Sequence, residues 1–203
     1  MSSPRAVEVT SLDGRRARSA RSRAAAVDAI LDLLSAGSTV PPSAAEVAER
    51  SGLSIRTVFR LFDDLESLYA AAVERQRERL GEYFVFEATD GDVDARVADL
   101  VAQRVRLYEA ILYVRPFAEQ LRHTSEVVGA MLGLIDTQQR EQLAAQFAPE
   151  LASRSVAERN ELLDALAVAT GWAAWDGLRR QQGRSSVRAK RAMARTVSAL
   201  VRL

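Results

Sequence analysis

The hydrophobic positions along this chain repeat with a helical period almost throughout. From Ala24 onward, Val27, Ile30, Leu31 and Leu34 fall at i, i+3, i+4 and i+7, one buried face of a helix expected to end near Gly37. Pro41 and Pro42 break the chain, and Ser43 with Glu46 forms a Ser-x-x-Glu capping box that starts a short second helix, stopped by Gly52. Ser54 caps a third helix through about Leu61. Asp63-Asp64 restarts a fourth, whose face is Leu65, Leu68, Tyr69 and Ala72.

Farther on, the pattern predicts a helix from about Val93 to Val114, stopped by Pro116, and a short one over Phe117 to Arg122. Ser125 opens another, closed by Pro149. Ser155 and Glu158 form a second capping box, for a helix of roughly 27 residues, about 40 Å, ending at Gly183. A last helix runs from about Ser186 to Val201. No alternating strand pattern and no internal repeat occurs. The expected fold is all-α.

Residues 1 to 14 lack apolar periodicity and arginines follow at 15, 16, 18, 21 and 23, so residues 1–18 are expected to be a flexible basic arm. Those arginines are either a solvated tail or a reach toward DNA backbone or minor groove. Composition narrows the rest. In 203 residues, 48% apolar content fills a core, no run approaches 18 apolar residues, and no apolar leader segment opens the chain. A cytoplasmic protein without membrane contact is expected. The absence of cysteine and the single histidine, His123, remove thiolate and the usual zinc and iron sites. No nucleophile elbow, phosphate loop or metal motif is present, so no enzyme, cofactor or metal is expected. A net charge of +1 marks no nucleic-acid binder by itself, and all basic residues but Lys190 are arginine, so only the position of charge is informative.

That position is residues 43–62, SAAEVAERSGLSIRTVFRLF. Two short helices joined by a glycine-containing turn make a helix-turn-helix, whose second helix enters the DNA major groove. Arg56 lies near its N-terminus, where a guanidinium forks onto guanine. Thr57 offers a hydroxyl or a methyl, and Arg60 lies one turn on toward the backbone. Val58, Leu61 and Leu53 are expected to face inward. Ser43, Ser54, Ile55, Arg56, Thr57, Phe59 and Arg60 are the candidate DNA-contacting residues.

The order Val47-Ala48, Ser51-Gly-Leu-Ser54 and Arg56-Thr-Val-Phe-Arg-Leu-Phe62, with Glu66-x-Leu68 after it, resembles the DNA-binding signature of the TetR family of repressors over about residues 24–75. Phe59 stands where many members have tyrosine, Arg56 where many have a small residue, and Leu65 where many have lysine. The resemblance implies an N-terminal three-helix DNA-binding domain, here residues 19–66, followed by a larger helical-bundle ligand-binding and dimerisation domain over 67–203. It also implies a ligand-responsive regulator, a repressor, that binds a pseudo-palindromic double-stranded operator as a homodimer and is released by a small-molecule effector. The alternative is an architectural or partner-binding helical protein without small-molecule control.

Tyr108, Tyr113, Phe117, His123 and Met131 are candidates to line an effector pocket or to pack in the core. Trp172 and Trp175 lie in a segment apolar nearly all round, which a core or, preferably, a subunit interface would explain. The arginines at 184, 188, 191, 195 and 202, with Lys190, are read as a solvated face.

Overall fold

The computed structural model describes residues 4–36 and 40–203, with side chains from Gly14 onward. Among the described residues eleven α-helices follow one another: α1 (Pro4–Ser35), α2 (Ala44–Ser51), α3 (Ile55–Leu61), α4 (Leu65–Arg79), α5 (Val93–Ala110), α6 (Arg115–Leu121), α7 (Glu126–Gln146), α8 (Ala148–Ala152), α9 (Val156–Thr170), α10 (Trp172–Asp176) and α11 (Ser186–Val201). A 3-10 turn, Gly81–Phe84, precedes α5, and a π-turn, Gly177–Gln181, continues α10. No strand occurs among the described residues. They form two compact units, one of residues 1–79 and 113–129, the other of 80–112 and 130–203.

The first unit is built on α1, which contacts α2, α3 and α4. Its apolar stripe of Val27, Ile30, Leu31 and Leu34 is buried with Val47 and Ala48 of α2, Val58 of α3 and Leu68 and Ala72 of α4. Three polar latches lie along α1: Arg23 to the Leu61 carbonyl, Asp28 to Arg79 at 2.5 Å, and Asp32 to Arg50 at 3.3 Å. Tyr69 of α4 donates its hydroxyl proton to the Pro42 carbonyl at 2.7 Å and lies edge-on to Phe117 of α6, with centroids 4.7 Å apart.

In the second unit, α5 buries Val97, Leu100, Val101, Arg104, Leu107 and Tyr108, a single face at helical spacing. It packs on α11, whose Ala189, Met193, Val197 and Val201 recur every fourth residue. Trp175 is fully buried; its indole N–H donates to Glu109 at 3.1 Å, and Arg179 forks onto the same carboxylate. Tyr108 meets Trp172 edge-on.

Five expectations are corrected. The backbone of residues 4–18, expected to be a flexible arm, is helical and continuous with α1, while residues 1–3 and Gly37 lie outside the described residues. Alanine and arginine favour helix, and extending a helix already nucleated is cheap even without an apolar face. The helix expected to run to Val114 ends at Ala110, and the one expected to reach Pro149 ends at Gln146. Both prolines sit instead in the first turn of a new helix, α6 or α8, where a missing N–H costs nothing.

The 27-residue helix is broken at Gly171, whose ψ of 165° is extended and where a Cβ would lie 2.8 Å from the Ala167 carbonyl oxygen. Trp172 and Trp175 are buried in the core of their own unit, so their apolar girth is no sign of a subunit interface.

Arg96 on α5 forks onto Glu150 of α8, and that hydrogen bond holds the Glu150 carboxyl below the usual glutamate range. With the folded pKa below the unfolded value of about 4.3, the pair stabilises fully above that value and is lost as pH falls through the folded pKa. Glu150→Gln is therefore expected to cost roughly 1 to 2 kcal/mol at pH 7. Urea unfolding as a function of pH should also show the acid-side loss of stability flattened in this variant.

Candidate nucleic-acid interface

The short helix α3 is defined at both ends by side chains. At its start, the Ser54 hydroxyl accepts from the Thr57 N–H at 3.1 Å and lies 2.8 Å from the Thr57 hydroxyl. Before it, Gly52 takes the left-handed conformation, φ 67°, that closes α2, and the Leu53 N–H bonds back to the Ala48 carbonyl. At its end, Arg23 of α1 donates to the Leu61 carbonyl at 2.6 Å and lays its guanidinium over the Phe62 ring, 4.1 Å from the centroid. A cation at a helix C-terminus meets the negative end of the dipole as well as an orphan carbonyl.

One side chain of α3, Val58, is fully buried, while Leu61 and Leu53 are half-buried. The opposite face is open. Ile55 and Phe59 are about half exposed, at 46% and 50%, and Arg56 and Arg60 are exposed beside them. These four positions, i, i+1, i+4 and i+5, form one contiguous strip. Elsewhere in this unit Arg50, Arg75, Arg77 and Arg79 are bound to carboxylates. Arg56 and Arg60 have no acidic partner among the described residues, so their charge faces outward undiminished. α3 has no acidic residue in its first turn, which leaves the positive dipole end unopposed there.

Of the seven candidate residues, the structure gathers Ile55, Arg56, Phe59 and Arg60 on that strip, with Thr57 half-buried at its margin. Ser54 is the N-cap of α3. Ser43 lies apart, as N-cap of α2, with its N–H and hydroxyl both bonded to Glu46 at 2.8 and 2.7 Å. Leu65 is half-buried in the first turn of α4, beside Asp64, which accepts from the Ser67 N–H. Sequence reasoning missed Arg23: within a run of arginines nothing distinguished the one that reaches Leu61. Tyr113, Phe117 and His123 belong to the first unit, Tyr108 and Met131 to the second, and His123 is exposed.

No described helix is long and apolar enough to cross a membrane, and no group of metal-ligating side chains occurs among the described residues. No family model and no curated protein matches the chain. Among solved structures, the chain is similar to the crystal structure of a tetR-family transcriptional regulator from Streptomyces coelicolor. The two share 19% identity with a TM-score of 0.65, over 88% of this chain and 81% of that one. The fold is thus that of a TetR-type regulator, and the likeness extends well beyond residues 24–75, where the sequence resemblance lay.

Arg23→Ala is expected to lower stability by about 2 kcal/mol, the low-end sum of a charge-assisted hydrogen bond and a cation–π contact at an exposed site. Thermal unfolding checks it. Arg23→Lys, which keeps the charge but not the planar fork, should recover only part of the loss.

Proposed function

We propose that the chain is a DNA-binding transcriptional regulator, acting as a repressor, in which residues 19–66 contact DNA and residues 67–203 dimerise and bind a small-molecule effector. The observation that carries it is the strip on α3, two arginines without an acidic partner among the described residues, beside exposed Ile55 and Phe59 on a helix capped at both ends. A helix of seven residues gains little stability by itself; its value is that it fits a groove about 12 Å wide. In a homodimer, two copies of α3 occupy successive major grooves of a pseudo-palindromic operator, and the arginines at 16, 18 and 21 contact backbone phosphates. The effector shifts the spacing of the two helices and so releases the operator. Such a regulator works in the cytoplasm and needs no cofactor and no catalytic group.

Selection of bound sequences from random double-stranded DNA tests this reading. An inverted repeat with half-sites about one helical turn apart, or a multiple of that, is expected. Enrichment of no motif would leave an architectural or partner-binding helical protein. Arg56→Ala is expected to weaken binding to the selected site by about 1–3 kcal/mol and to relax preference at one base pair per half-site. Equal weakening on all sequences would make Arg56 a phosphate contact.

The homodimer is proposed to form on the outer face of α9, where Val168 is 76% exposed, not on the tryptophans. Val168→Asp should shift the sedimentation of the dimer toward monomer with little loss of melting temperature. Trp175→Glu should unfold the second unit instead, because it puts a charge into a core.

A further inference from the structure

Three arginines are buried among the described residues: Arg96, Arg104 and Arg115. Arg96 has Glu150 and Arg115 has Glu119, whereas Arg104 has no carboxylate. It lies on the core stripe of α5 with no exposed surface. Its Nη1 donates to the Gln142 side-chain oxygen at 2.7 Å and its Nη2 to the Gln139 carbonyl at 3.3 Å, both neutral acceptors on α7. Its face rests on the Phe86 ring, 5.1 Å from the centroid, and its Nε has no acceptor. Burial draws the Arg104 pKa down, but a guanidinium stays protonated in a protein. A buried cation without a counter-charge is costly, and neutral acceptors offset only part of that cost.

Two of the groups that touch Arg104, Gln142 and Phe86, also form the wall of a groove of about 470 Å³. Phe84, Val85 and Ala88 line it together with polar Gln138 and Glu141, and it opens where Val85 and Glu141 are exposed. Gln142 stands between the groove and the cation. Its amide group donates to the Glu87 carbonyl at 2.7 Å and to Gln103 at 2.6 Å while its oxygen serves Arg104.

We propose that this groove binds a small monocarboxylate with an aromatic or aliphatic body, whose carboxylate displaces the Gln142 oxygen and pairs with Arg104. The bonds from Arg104 to the neutral acceptors are already charge-assisted on the donor side, and a carboxylate adds what they lack, a counter-charge and a planar pair of acceptors that matches the guanidinium fork. The phenylalanine rings take the apolar body, and Glu141 at the mouth repels a second negative charge. The proposal rests on the reading of the second unit as the effector-binding part, and names the chemical class of the effector.

The test is calorimetric titration of the full chain, without DNA, with the ω-phenylalkanoates from phenylacetate to 5-phenylvalerate and with the alcohol corresponding to each. At least one carboxylate is expected to bind tenfold or more tightly than its alcohol. Arg104→Gln should abolish that preference while melting at the same or a higher temperature. Gln142→Glu, nearly isosteric, sets an internal carboxylate against Arg104, so it should raise the melting temperature and also abolish the preference, whether or not Arg104→Gln folds. Equal binding of carboxylates and alcohols, binding of neither, or a preference that survives in Gln142→Glu would overturn the proposal. Because no DNA is present, failure here leaves the operator reading standing. Failure of the sequence selection, in turn, leaves a carboxylate site without a DNA partner.

Discussion

The first unit depends on holding a helix that cannot hold itself. Two turns of helix are marginal in water, because nucleation costs several ordered residues before the first bond is gained. α3 buries one side chain completely, Val58, so packing alone anchors it poorly. What remains is capping: Ser54 and Thr57 satisfy one end, and Arg23 satisfies the other from across the unit. The other elements of the unit serve this arrangement. α1 supplies Arg23, and the latches at Asp28 and Asp32 keep α4 and α2 in register with the same helix.

The second unit solves the opposite problem, since it has ample apolar surface and must accommodate polar groups within it. Glu109 receives both the Trp175 indole and the Arg179 fork, and Glu150 receives Arg96. The Tyr108 hydroxyl donates to the Thr170 carbonyl at 2.9 Å, the last residue of α9 before the break at Gly171. Each buried polar group has a partner matched in charge or dipole except Arg104, whose acceptors are all neutral and whose Nε has none.

The helix-turn-helix was legible because its signals are local: capping boxes, a left-handed glycine and a period of 3.6 are written within a few residues of where they act. Ser43, Gly52, Ser54 and Ser155 all cap as their neighbours imply. The prolines misled because a proline that ends one helix and a proline that begins the next look alike in sequence, and Pro116 and Pro149 are both of the second kind. The break at Gly171 was hidden by strong helix formers on both sides, since a glycine inside such a run is ordinarily tolerated. Arg104 left a readable sign, a charge at a core position of the α5 stripe, but its want of a carboxylate depends on residues 35 and 38 positions away. The role of Arg23 spans a similar distance, 38 positions.

The bonds that hold α3 in place come from its two ends and its inner face. Among the described residues, the four side chains of its outer strip make none of the hydrogen bonds or ion pairs that secure the unit. Folding and surface chemistry are therefore assigned to different positions of the same seven-residue helix. Ile55, Arg56, Phe59 and Arg60 can therefore be exchanged with little thermodynamic penalty, so what the strip recognises can be altered without loosening the scaffold beneath it.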